Sequence, residues 1–129
     1  VTSSVAGKIG IKQRSGYCAS KHALHGFFDA LRSEVTDAGV AVTLLCPGYI
    51  QTPISFHALD AHGQAHGKMD SGQAKGMPAD ELARRTLRGV AAGKRELSIG
   101  GFEVMGIHLK RLWPGLVARI MQKRKADGT

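Results

Sequence analysis

The chain predicts an α/β layer fold, and three observations carry that expectation. A long run at helical spacing, residues 15–38, passes directly into the apolar run Val40-Ala41-Val42-Thr43-Leu44-Leu45-Cys46. That run is short, partly β-branched and nearly all apolar, the pattern of a strand covered on both faces of a parallel sheet. A second helical stretch then leads to a second short strand, Glu96-Leu97-Ser98-Ile99. Helices alternating with buried strands imply layers of helix on sheet.

Taken in order, Val1-Thr2-Ser3-Ser4 reads as the end of a strand. Residues 5–14 hold Gly7 and Gly10 with no clear period and read as a loop. Ser15 is a credible N-cap. Beyond it Tyr17, Leu24, Phe27, Phe28, Leu31 and Val35 recur at helical spacing, and Gly39 ends the helix as a C′ residue would. Ala19, Ala23, Gly26 and Ala30 interleave and would allow close packing against a neighbouring helix. Pro47-Gly48 stops the first buried strand.

Residues 53–77 are the least regular, with Gly63, Gly67, Gly72 and Gly76; we read them as a mobile loop with one short helix, lying over a site. Pro78 suits the first turn of the next helix, with Asp80 and Glu81 favourable to its dipole. Leu82, Thr86, Leu87 and Val90 supply its expected buried stripe, and Gly93 ends it. Gly89 weakens that helix by about 1 kcal/mol relative to Ala. Gly100-Gly101 closes the second strand, and residues 102–125 form two helical pieces separated at Trp113-Pro114.

With 129 residues the chain fits one domain, and its 43% hydrophobic and 22% charged residues are those of a soluble globular protein. It has no run of about 18 apolar residues that would span a bilayer. No signal peptide is visible, although Val1 does not read as a natural start, so targeting stays open. Cys18 and Cys46 are too few for a disulfide framework and read as free thiols of a reducing compartment. The expected location is cytoplasmic or membrane-peripheral.

The net charge of +8 is unevenly spread. Residues 102–129 hold six basic side chains (Lys110, Arg111, Arg119, Lys123, Arg124, Lys125) against Glu103 and Asp127, or +4. Leu109, Leu112, Trp113, Leu116, Val117, Ile120 and Met121 fall near one face of this tail. It is either an amphipathic element on anionic lipid or a helix packed on its own domain or a partner subunit, and the second reading is favoured. Nucleic-acid binding is not expected, because no platform of interleaved aromatic and basic residues is evident. His57, His62 and His66 match no ligand signature, so no metal site is expected.

The chemistry centres on Tyr17 and Lys21, four residues apart and therefore on one helix face, with Ser4 thirteen residues before the tyrosine. An ammonium about 5 Å from a phenol, at an effective dielectric near 20, favours the phenolate by about 3 kcal/mol. Such a tyrosine can act as a general acid or base. A serine hydroxyl beside it can bind and orient the reacting oxygen. The set suits proton transfer coupled to hydride transfer, and a cofactor must bring the hydride.

Thr2-Ser3-Ser4-Val5-Ala6-Gly7, Tyr17-Cys18-Ala19-Ser20-Lys21 and Pro47-Gly48-Tyr49-Ile50-Gln51-Thr52 together resemble the short-chain dehydrogenase/reductase family. The resemblance runs along nearly the whole chain. Lys21-His22-Ala23, Phe27-Phe28-Asp29 and Lys68-Met69-Asp70 resemble one branch of that family. It implies the C-terminal part of a doubly wound Rossmann-type parallel sheet over residues 1–101, with 102–129 as a basic amphipathic tail.

It further implies Tyr17 as catalytic acid/base, Lys21 as the group that favours its ionised form and bonds the nicotinamide ribose, and Ser4 as the holder of the substrate oxygen. Pro47, Gly48, Ile50 and Thr52 would line the nicotinamide pocket of NADP or NAD, with NADP favoured. The substrate would be a small-molecule carbonyl or alcohol, the loop at 53–77 its lid, and the first long helix part of a homo-oligomer interface. A non-catalytic binding or scaffold protein on the same fold is the rival reading. The family's glycine-rich phosphate turn is not among these residues, so the chain reads as a C-terminal fragment, poor at holding dinucleotide alone.

Overall fold

In the computed structural model, residues 1–58, 63, 64, 67, 69 and 71–123 are described. A parallel sheet forms the centre. Strand β1 (Leu44–Pro47) pairs in parallel with β4 (Glu96–Ile99), Leu44 opposite Glu96 and Pro47 opposite Ile99. The first residues extend this sheet on the other side of β1. Thr2 bridges Leu45 in parallel, the Ser3 N–H donates to the Leu45 carbonyl at 2.7 Å, and the Leu45 N–H donates to the Val1 carbonyl at 2.8 Å. The expected buried strand is shorter than residues 40–46, because the first four of these lie outside the ladder. Its core is as dry as expected, with Leu44, Leu45 and Cys46 all buried.

Helix α1 (Ser15–Val35) crosses from the first segment to β1. Ser15 is its first residue and not its cap: Arg14 holds that position, and no side chain among the described residues caps the helix. The helix also stops at Val35, short of residue 38. A turn follows in which Gly39, at φ +72°, reverses the chain toward β1. Cys18 and His25 are buried, and Lys21, Leu24, Phe28, Leu31, Arg32 and Val35 are half-buried, a stripe spaced by three and four. Tyr17 and Phe27 lie outside it, 40% and 63% exposed.

Among the described residues of 53–77 there are two short helices, α2 (Ile54–His57) and α3 (Ser71–Ala74), where one was expected. A small parallel pair, β2 (Ile50–Gln51) with β3 (Met77–Pro78), closes the base of this excursion. Pro78 then serves as cap residue of α4 (Ala79–Ala91) as well as strand end. The buried stripe expected on α4 is only partly realised. Leu82 and Thr86 are half-buried, whereas Leu87 and Val90 are exposed. Gly89 is the buried position: a Cβ there would stand 2.4 Å from a Leu97 methyl. The glycine that costs helix propensity lets α4 settle on β4.

A 3-10 turn at Phe102–Val104 leads to α5 (Met105–Leu112) and α6 (Pro114–Lys123), parted at Trp113 as the sequence predicts. The tail packs inward on one side. Val117 joins Val5 and Ile9 in a buried cluster, flanked by Val104, Ile107, Leu109 and Met121. No described helix is long and apolar enough to cross a membrane.

Candidate active site

The parallel register decides which residues meet. Thr2 and Leu45 are level, so two residues further on Ser4 and Pro47 leave the sheet together at its carboxyl edge, with Ile99 opposite Pro47. Open α/β sheets bind their ligands at this edge.

Ser4 is half-buried and extended (φ −171°, ψ 165°), where the strand turns into the 3-10 turn Val5–Gly7. Its Oγ accepts the Ala6 N–H at 3.1 Å, which fixes the hydroxyl at the strand end. Tyr17 stands in the first turn of α1 with its ring accessible. Lys21, one turn on, places its ammonium 5.7 Å from the Tyr17 ring centroid. The same Nζ donates to the Thr2 carbonyl at 3.1 Å. Strand end and helix are therefore tied through the lysine, beside the tyrosine.

A second tie lies one layer deeper, and the sequence reading did not anticipate it. Ser3 is buried; its Oγ donates to the Lys21 carbonyl at 3.0 Å and lies 3.0 Å from His25 Nε2. Gly7 closes over this junction. A Cβ there would stand 2.3 Å from Ser3 Oγ and 2.9 Å from the Lys21 carbonyl oxygen. The available signal was positional: His25 follows Lys21 by four residues, on the same helix face.

His25 Nδ1 is buried with no hydrogen-bond partner among the described residues and lies 3.9 Å from Glu96 Oε2. Burial, followed by the nearby Lys8 charge, holds the His25 pKa below its usual value. Cys46 Sγ is 3.7 Å from His25 Nε2, and burial pushes its thiol up to about 11. The donor atoms of His25, Cys46 and Glu96 lie within 4.8 Å of one another. Lys8 engages the Glu96 carboxylate at 2.8 Å and Ser3 meets His25, so we read the trio as a packing junction between α1, β1 and β4.

At the end of β1, the Gly48 N–H donates to the Ile99 carbonyl at 2.9 Å. Glu103 Oε1 then accepts the Tyr49 and Gly101 N–H groups, each at 2.9 Å. The carboxylate sits so close to Gly48 that a Cβ there would overlap it at 1.8 Å. Pro47 and Gly48 are thus pinned at the sheet edge, Ile50 is buried in β2, and Thr52 follows half-buried. Beside this turn opens a cleft of about 560 Å³ reaching from Tyr49 to Gly101; Ser4, Tyr17 and Lys21 do not line it. Of the loop histidines, His57 ends α2 and is exposed, whereas His62 and His66 lie outside the described residues, as do Lys68 and Asp70.

A family model for the short chain dehydrogenases matches residues 1–62. The chain is similar to a protein of Danio rerio named dehydrogenase/reductase SDR family member 7B, at 40% identity over all of this chain and 42% of that protein. It is 42% identical to the Mus musculus protein of the same name, over 95% of this chain and 38% of the relative. It is 41% identical to the dehydrogenase/reductase SDR family protein 7-like of Drosophila melanogaster, over 95% and 38% respectively. The chain thus spans about 40% of the length of the curated relatives it matches.

Proposed function

Because this chain belongs to the short-chain dehydrogenase/reductase family, we propose that it carries the proton-handling site of an NAD(P)(H)-dependent oxidoreductase interconverting a carbonyl and an alcohol. The observation that carries the reading is the Lys21 ammonium set against the Tyr17 ring while it bonds the strand end that bears Ser4.

Tyr17, with its ring open to solvent, gives a proton to the substrate oxygen on reduction and takes it back on oxidation. Lys21 holds its ammonium over the same ring, 5.7 Å from the centroid, beside the phenol that exchanges the proton. Ser4, held at the strand end, presents a hydroxyl that orients the same substrate oxygen. Bound NAD(P)(H) supplies the hydride.

The residues present suit that cofactor. An ammonium has three N–H donors, and Lys21 gives one to Thr2, which leaves two for ribose hydroxyls. Pro47 and Gly48, pinned by Ile99 and Glu103, give a fixed backbone wall, with Ile50 and the Thr52 hydroxyl beyond it. NADP is the favoured cofactor, and the substrate is a small-molecule carbonyl or alcohol. The open face of α1, carrying Ala19, Ala23, Gly26 and Phe27, is where a second copy would pack in a homo-oligomer.

Tyr17→Phe in the intact protein tests the assignment. Turnover of carbonyl substrates with NADPH should be lost while NADPH binding, followed by nicotinamide fluorescence, is retained. Undiminished turnover would reject it.

A further inference from the structure

Among the described residues, one apolar side of the two tail helices is packed and the other is open. Val117 is buried against Val5 and Ile9, and Ile107, Leu109 and Met121 pack around it. The other side is left open: Phe102 is 84% exposed, Leu112 66%, Trp113 59% and Ile120 44%. On α6, Leu116 and Ile120 are four residues apart, and Arg119 and Lys123 are four apart on the adjoining strip. Arg119 and Lys123 are exposed, as is Arg111 beside Leu112 on α5. Residues 104–123 hold four basic side chains and no Asp or Glu. One of the four, Lys110, is drawn inward to the Lys8 carbonyl at 2.8 Å.

We propose that this open side of α5 and α6 is a docking surface for an anionic lipid membrane, on which the helices lie flat. Apolar side chains bordered by cations, with no acid among them, match the boundary between acyl chains and anionic headgroups. Trp113 stands at the joint of the two helices, an amphipathic ring of the kind concentrated at that depth. The same charges disfavour a second copy of this chain as the occupant, since two such faces would bring like charges together. The helices are too short to span, so the contact is peripheral.

Trp113 is the sole tryptophan of the chain and reports the contact directly. The chain is mixed with vesicles of phosphatidylcholine containing about 30% phosphatidylserine, and with vesicles of phosphatidylcholine alone. The expected result is co-sedimentation with the anionic vesicles, a blue shift of Trp113 emission, and quenching by brominated acyl chains. Arg119→Glu/Lys123→Glu, at two exposed positions clear of the packed side, should weaken partitioning by at least about tenfold with an unchanged circular dichroism spectrum. Absence of any shift or quenching with anionic vesicles would overturn the proposal. So would equal binding to neutral vesicles, or a blue shift that follows protein concentration without lipid, which would mark self-association.

Discussion

Gly7 lies where three groups converge: the Ser3 hydroxyl, the Lys21 carbonyl and the His25 ring. The Lys21 carbonyl is helix backbone and cannot yield without moving the turn that carries Tyr17 and Lys21. Gly7→Ala should therefore destabilise the protein by about 1–3 kcal/mol, read as a lower midpoint in urea. If the midpoint does not change, the junction is looser than its distances indicate. Ser3 and Ser4 are adjacent serines with different tasks. Ser3 points inward to Lys21 and His25, whereas Ser4 caps the turn at the carboxyl edge. The alternation of side chains along an extended chain separates them. The thirteen-residue spacing to Tyr17 singled out Ser4, and no local pattern marked Ser3.

At the scale of elements, α1 is tied to the sheet at both ends. Near its start the ties are Ser3 and the Lys21 ammonium. Near its end Arg32 donates to the Val42 carbonyl at 3.0 Å and the Arg95 carbonyl at 3.2 Å, and pairs with Asp29. These carbonyls flank β1 and β4, so one side chain gathers helix and both strand entrances. Arg32→Met keeps the aliphatic stem but removes both bonds, and should cost about 2 kcal/mol, near 1 for each hydrogen bond. An unchanged unfolding midpoint would show that water replaces the guanidinium at no cost. The hydrophobic period of α1 was legible, yet Tyr17 and Phe27 fall off the packed stripe, which polar His25 and Arg32 complete. Hydropathy does not register a polar residue that is buried because it has a partner.

For the molecule as a whole, the buried His25 makes stability depend on pH. Its pKa is depressed in the folded protein, first by burial and then by Lys8, while Glu96 and Asp29 oppose and His22 adds slightly to the depression. The unfolded chain then binds the proton more readily, so this contribution is full above the ordinary histidine value of about 6.5 and is lost as pH falls from there toward the folded value. The thermal midpoint should drop on acidification through that window, and His25→Gln should flatten the drop. An equal drop in the variant would assign it to other groups. The whole-chain arrangement also shows what Glu103 does. Counted in the sequence as one acid in a basic tail, it holds the turn after β1 through Tyr49 and Gly101. That bond spans more than fifty residues of chain and leaves no local trace in the sequence.

The sequence by itself determined the order of the long helices and the two central strands, the dryness of β1, the break at Trp113 and the family, because periodicity, apolar runs, proline and short motifs are local properties. The tertiary structure decided which groups meet. Parallel register sets Ser4 level with Pro47, Gly7 and Gly89 are close approaches between elements, and a buried histidine joins helix to sheet. It also divided the tail into a packed side and an open one, a distinction that amphipathic spacing cannot make because both sides are apolar.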